Sequence, residues 1–222
     1  ARFAASSRMI SVERLSFADR LGEITNVRPA SFALQETLKG SLDLAARSGS
    51  ERYALSFDLG PSSFEAEMRV HESPLARAAS TALTGNLNGL IRASGSYADP
   101  AAQASLWLSG AALGGQAATG SLEAAYASGR VVLTSLEAAT RSYRIGPTSA
   151  SCDLGSGRFE VETSLTGRSS NFPVSSRVRL AGLVRPGPGI SLWRALFRGD
   201  LKGQVAVADL RPGRDVSASW IL

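Results

Sequence analysis

Apolar and polar positions alternate along this chain in short runs, the period of two that marks half-buried β-strands. From Arg52 to Leu59 the apolar set is Tyr53, Leu55, Phe57 and Leu59, with Ala54, Ser56 and Asp58 facing the other way. From Phe64 to His71 it is Phe64, Ala66, Met68 and Val70 against Glu65, Glu67, Arg69 and His71. The same alternation carries Ala104, Leu106 and Leu108, then Leu122, Ala124 and Tyr126. It returns in Phe159, Val161 and Leu165 against Arg158, Glu160 and Glu162, and in Val178 and Leu180 against Arg177 and Arg179. Turn signals such as SGSE, LGPSS, LGGQ, ASGR, IGPT, LGSG and RPGPG separate the runs. Short strands joined by tight turns predict antiparallel pairing, because parallel neighbours need long crossovers.

Two segments break the alternation. Ser73 stands as an N-cap before Pro74 and an Ala-rich stretch, which predicts a short helix over 73–83. A second break, ISLWRALF at 190–197, follows Pro186 and Pro188. After each break comes the same punctuation: Leu87-Asn88-Gly89 and Leu201-Lys202-Gly203 superpose at one offset (203 − 89 = 114), and Leu106 and Leu108 then fall opposite Trp220 and Leu222. Leu38-Lys39-Gly40 begins an earlier, more eroded copy. Degenerate repeat units therefore begin near 37, 84 and 198, and 1–222 reads as a single repetitive segment of a longer protein.

Composition adds little chemistry to this pattern. The chain has 222 residues, 44% of them hydrophobic with much of that Ala, which suits an extended layer better than a compact ball. A net charge of +5 favours anionic partners, yet the basic residues are scattered singly among Glu and Asp. The aromatics sit mostly on the apolar faces, opposite the charges, so nucleic acid is not expected as a partner. Cys152 is the single cysteine, which excludes an internal disulfide. No apolar run reaches the about eighteen residues of a spanning helix.

Candidate catalytic groups do not assemble. His71 is the one histidine, on the wet face of its strand beside Glu72, with no second His or Cys nearby to make a metal site. Glu65 with Glu67, and Glu160 with Glu162, share strand faces in the manner of a plain solvated surface rather than an acid/base pair. Cys152 has no neighbouring base, and no phosphate-binding glycine loop is present. Arg198-Gly199-Asp200 spells an adhesion tripeptide, but the repeat accounts for it through Thr84-Gly85-Asn86 of the earlier copy. No enzyme activity and no cofactor are expected.

The order Pro74-Leu75, Leu87-x-Gly89, Gly95 with Asp99-Pro100, and alternating strands through Gly114-Gly115 to Gly146 resembles a repeat unit of the TamB family, relatives of the AsmA-like bridge-type lipid-transfer proteins of bacterial envelopes. The resemblance covers 12–222, with a later copy in which Asp209 replaces the glycine equivalent to Gly95. It implies a periplasmic middle segment of an inner-membrane-anchored envelope protein. It also implies phospholipid as cargo, the inner membrane as a partner through an anchor outside this segment, and an outer-membrane β-barrel protein as a further partner.

The residues lead to a compatible expectation on their own. A one-sided antiparallel sheet must cover its apolar face by closing, by packing on a second sheet, or by curling around something apolar. The fold class expected is all-β, a long curled antiparallel sheet forming an open groove with one or two short helices. A dozen strands at about 4.8 Å spacing would make a trough about 60 Å long. The expected groove lining is Leu55, Phe57, Phe64, Met68, Val70, Leu106, Leu108, Leu122, Tyr126, Phe159, Val161, Leu165, Val178, Leu180, Val205 and Val207. The competing reading is a secreted or surface-displayed β-solenoid or sandwich with an adhesive or scaffold role, in which the same side chains form an ordinary packed core.

Overall fold

The computed structural model describes residues 2–6, 9–19, 21–47, 49–77, 83–169, 172–184, 201–208 and 216–221. For 2–6, 83, 169, 172–174, 183–184, 201–208 and 216–221 only the backbone is described. Among the described residues the fold is all-β and the strand pairing antiparallel. The chain divides into two units, 1–119 and 120–222.

Unit 1 contains β1 (Arg2–Ser6), β2 (Met9–Arg14), β3 (Ser16–Asp19), β4 (Gly22–Asn26), β5 (Ala30–Leu34), β6 (Leu38–Ala46), β7 (Arg52–Leu59), β8 (Ser63–Pro74), β9 (Leu83–Ser96) and β10 (Pro100–Leu113). Strands β6 to β10 pair each with the next. The outer edge of β6 is shared, with β5 on its first residues and β4 on its last. Beyond these, β2 pairs with β5 and β1 with β2, while β3 pairs with β4. The predicted turn at LGPSS is closed by Gly60 N donating to Ser63 O at 2.8 Å.

Strand β11 (Gln116–Ala127) straddles the division. Unit 2 continues with β12 (Arg130–Thr140), β13 (Tyr143–Asp153), β14 (Arg158–Ser169), β15 (Phe172–Val184), β16 (Leu201–Ala208) and β17 (Val216–Ile221). Each strand from β12 to β16 pairs with its successor. Asp153 shapes the turn from β13 to β14, its Oδ1 accepting from Ser156 N at 2.6 Å and Ser156 Oγ at 2.7 Å, a side-chain mimic of a backbone turn.

The repeat is written into the pairing. Gly40 of β6 lies opposite Phe57 of β7, Gly89 of β9 opposite Leu106 of β10, and Gly203 of β16 opposite Trp220 of β17. In each hairpin the partner of the Leu-x-Gly glycine stands seventeen residues later (57 − 40, 106 − 89, 220 − 203). The punctuation therefore encodes one hairpin three times, with the same register and a large apolar residue across from the glycine.

The expected helix over 73–83 is corrected to one turn of 3-10 helix, Leu75–Arg77, because β8 extends through Pro74 by pairing with Asn86. Tertiary pairing overrides the local helix signal there; residues 78–82 lie outside the described residues, as do 190–197. The buried core is small. Among the described residues the buried hydrophobics are Val12, Ala30, Leu42, Val70, Leu75 and Ala111. Val12, Ala30 and Leu42 cluster, with Leu15, Phe32, Leu44 and Leu55 packed against them.

Candidate functional site: an apolar sheet face in each unit

Successive strand registers in unit 1 sort the side chains into rows running across the sheet. One row is Leu42, Leu55, Met68, Ile91 and Ala104, and another is Gly40, Phe57, Ala66, Ala93 and Ala102. On either side lie Leu44, Tyr53, Val70, Gly89 and Leu106, and Leu38, Leu59, Phe64, Gly95 and Pro100. A register shift between Val70 and Ser73 brings Ser73, Leu87 and Leu108 into the next row on this side. Leu55, Phe57, Phe64, Met68, Val70, Leu106 and Leu108 of the predicted lining thus share one face. Val70 is 9% exposed and the other six are half-buried.

The intervening rows are polar. Lys39, Asp58, Glu65 and Ser94 form one, and Ser41, Ser56, Glu67, Arg92 and Gln103 the next. Their charges pair with one another, Lys39 Nζ to Asp58 Oδ2 at 2.7 Å and Arg92 Nε to Glu67 Oε2 at 2.9 Å. Exposed pairs of this kind are screened by solvent, contribute little to stability and mainly keep the face wet. An open concavity over Ser56, Asp58, Glu65, Glu67, Arg92 and Ser94 belongs to this charged face.

Unit 2 repeats the arrangement. Val131, Cys152, Phe159 and Gly182 make one row, and Leu133, Ala150, Val161, Leu180 and Val205 the next. Leu136 pairs with Thr148, whose hydroxyl meets that of Thr163, and Thr163 continues the row through Val178 and Val207, with Leu165 paired to Ile145 and Ser176 beyond it. Thr148 is buried, and its hydroxyl is satisfied by that of Thr163 at 2.5 Å. Phe159, Val161, Leu165, Val178 and Leu180 are half-buried on this face. Val205 and Val207 hold the register positions opposite Leu180 and Val178, and their side chains lie outside the described residues. Leu122 and Tyr126 share one face of β11 by alternation and are half-buried. Burial pushes the Cys152 thiol up, with Asp153 adding to the shift, so the thiolate is disfavoured.

The sequence pattern missed Ile91 because Leu90 precedes it and blurs the alternation. Register resolves the pair, setting Ile91 against Met68 and Ala104 and Leu90 against Arg69 and Ser105. It also missed a polar network at one end of the apolar face of unit 1. Glu51 has a side chain only 5% exposed, and both its oxygens are held by Arg77, Nε to Oε1 at 2.7 Å and Nη2 to Oε2 at 2.9 Å. The Tyr53 hydroxyl donates to Glu51 Oε1 at 2.6 Å and lies 2.7 Å from Ser73 Oγ, while Arg77 also pairs with Asp19. Burial would raise the Glu51 carboxyl, but the hydrogen bonds from Arg77 and Tyr53 outweigh it and hold the group below the usual glutamate value.

Glu72, at a positive φ of 51°, gathers a second cluster, and one open concavity is lined by Glu72 and Asn86 together with Glu51 and Arg77. The Glu72 carboxylate accepts from Ser109 Oγ at 2.8 Å, from Asn88 Nδ2 at 3.3 Å and from Asn86, while the Glu72 N–H donates to Asn88 Oδ1 at 2.9 Å. This cluster satisfies the polar groups released where β8 shifts register against β9. Among the described residues no group of three metal-ligating side chains converges. Arg198-Gly199-Asp200 lies outside the described residues.

Fold and face together define a class: antiparallel β-units with one apolar and one charged side. No family model, no curated protein and no solved structure matches this chain.

Proposed function

We propose that these apolar faces bind the acyl chains of phospholipid and conduct them between the inner and outer membranes of a double-membraned bacterium, in support of outer-membrane biogenesis. On this reading the chain works in the periplasm as part of an inner-membrane-anchored envelope protein. One observation carries the reading: among the described residues of unit 1, Phe64, Met68, Leu106 and Leu108 stay half-buried on one face, beside Leu55 and Phe57, which pack against the Val12–Ala30–Leu42 cluster and the Phe32 ring. A sandwich or solenoid would bury the same residues in a core.

The chemistry of the face suits an acyl chain. Strands β6 to β10 span about 20 Å at 4.8 Å per strand, and each methylene removed from water contributes about 0.8 kcal/mol. Ala66, Ala93, Ala102 and Ala104 leave room above the sheet, while the ion-paired opposite side stays in water. Transport of this kind needs no catalytic residue.

The test is native mass spectrometry with solvent extraction and lipid analysis on the chain expressed in a bacterial periplasm. Phospholipid should co-purify, and be lost when Met68→Asp and Leu108→Asp are introduced together in protein that keeps its β-sheet circular dichroism. Lipid-free wild-type protein with one cooperative thermal transition would refute the proposal.

A further inference from the structure

We infer that the end of unit 2 carrying Arg141, Arg144 and Arg168 docks on the surface of an anionic phospholipid bilayer. The inference does not depend on the acyl-chain reading and adds to it a point of contact with a membrane. The two units share the net charge unevenly. Residues 1–119 hold 11 Lys/Arg and 11 Asp/Glu, whereas 120–222 hold 13 and 8, so the whole net charge of +5 belongs to unit 2 (13 − 8 = 5). Along the sequence these cations stand singly, and strand pairing gathers three of them at one end. Arg144 of β13 lies opposite Thr166 of β14, and Arg168 stands two residues further along the same face of β14. The Arg168 N–H donates to Ser142 O at 2.9 Å, in the turn that carries Arg141.

All three arginines are exposed, and none has an ion-pair partner among the described residues, where the ion pairs of unit 2 are Arg177 with Glu162 and Arg179 with Glu160. No acidic residue occurs from Ala138 to Cys152 or from Thr163 to Gly199, and Glu137, just before the first stretch, pairs with none of the three. On the other face of the same strand end Tyr143 is 39% and Ile145 43% exposed. The Tyr143 ring lies over Gly167, where an added Cβ would collide with its Cδ1, and the Tyr143 N–H donates to Thr140 Oγ1 at 3.2 Å. The turn thus holds its aromatic residue in place before any partner arrives. Charge complementarity alone would admit an acidic protein. The exposed Tyr143 and Ile145 beside the arginines favour a bilayer, whose interface takes guanidinium groups at the phosphates and amphipathic or apolar side chains just beneath them.

The test is flotation of the whole chain with vesicles of phosphatidylcholine alone and of equimolar phosphatidylcholine and phosphatidylglycerol. Wild type should bind the anionic vesicles and not the neutral ones, and should release them when salt shortens the Debye length to about 3 Å. Arg141→Gln, Arg144→Gln and Arg168→Gln together should weaken anionic binding about a hundredfold, on the scale of about fivefold for each arginine at a headgroup surface. Arg14→Gln, Arg28→Gln and Arg69→Gln together remove the same charge from exposed sites of unit 1 and should weaken it far less. Tyr143→Ser should weaken it with the salt dependence unchanged. Equal losses in the two triple variants would overturn the inference, because net charge and not this end would then be binding. Equal binding to neutral vesicles would overturn it too, as would binding of polyglutamate but of neither vesicle, which would assign the end to an acidic protein. The wild-type salt series needs no variant and keeps the test available should a triple variant fail to fold. Vesicle binding by protein that carries no co-purified phospholipid would support this docking and sink the acyl-chain reading alone, and co-purified phospholipid without vesicle binding would do the reverse.

Discussion

Gly40 and Gly89 hold the same place in two copies of one hairpin, yet replacing each with Ala should cost different amounts. At Gly89 φ is +155°, a region L side chains rarely adopt, which costs about 1–3 kcal/mol. A Cβ there would sit 2.3 Å from Ser105 O and 2.9 Å from Leu106 Cα, so the backbone of β10 would have to move, adding about 1–3 kcal/mol. Loss of unfolded-state freedom returns about 0.5–1 kcal/mol, leaving a net loss of about 1–5.5 kcal/mol. At Gly40 no such φ applies, and the Cβ would meet the Phe32 ring, 2.1 Å from its nearest atom. A ring can turn away, although Phe32 would give up some contact with Phe57, whose centroid is 5.3 Å from its own. The net for Gly40→Ala is about 0–2 kcal/mol. Urea unfolding followed by far-ultraviolet circular dichroism measures both, with equal m-values required for the comparison. If Gly40→Ala destabilised as much as Gly89→Ala, backbone approach in β9 and β10 would not be what holds glycine in the motif.

Two further outcomes follow from the ionisable groups. Because the folded-state Glu51 carboxyl is held below its unfolded value, its contribution to stability is complete above about pH 4.3 and is lost as pH falls through the lower folded-state value. Glu51→Gln should therefore flatten the acid limb of a thermal-melt pH series and lower stability at neutral pH, and an unchanged acid limb would remove Glu51 from the account. The raised Cys152 thiol should react with a disulfide reagent at pH 8 several-fold more slowly in folded than in unfolded protein, and equal rates would contradict its half-buried position.

Much of this architecture is local and was legible. Alternation in Tyr53 to Leu59 and Phe64 to Val70 predicts which side chains share a face, because a strand has only two faces and each is set by parity. The Leu-x-Gly repeats likewise marked hairpins, and the structure adds that all three share one register. The Ser73-Pro74 signal pointed to a helix and yielded a single turn, since pairing with Asn86 outweighed local capping. Leu90-Ile91 was ambiguous until neighbouring strands fixed the parity.

The sequence by itself determined the strand period, the two-sided chemistry of each strand and the positions of the turns, all of which depend on neighbours a few residues apart. Only the tertiary structure decided that Glu51, Arg77 and Asp19 meet, and that the apolar face of unit 1 has one polar end. Nothing near any of the three residues announces the other two. Long-range pairing brought them together, and burial then made their mutual hydrogen bonds obligatory.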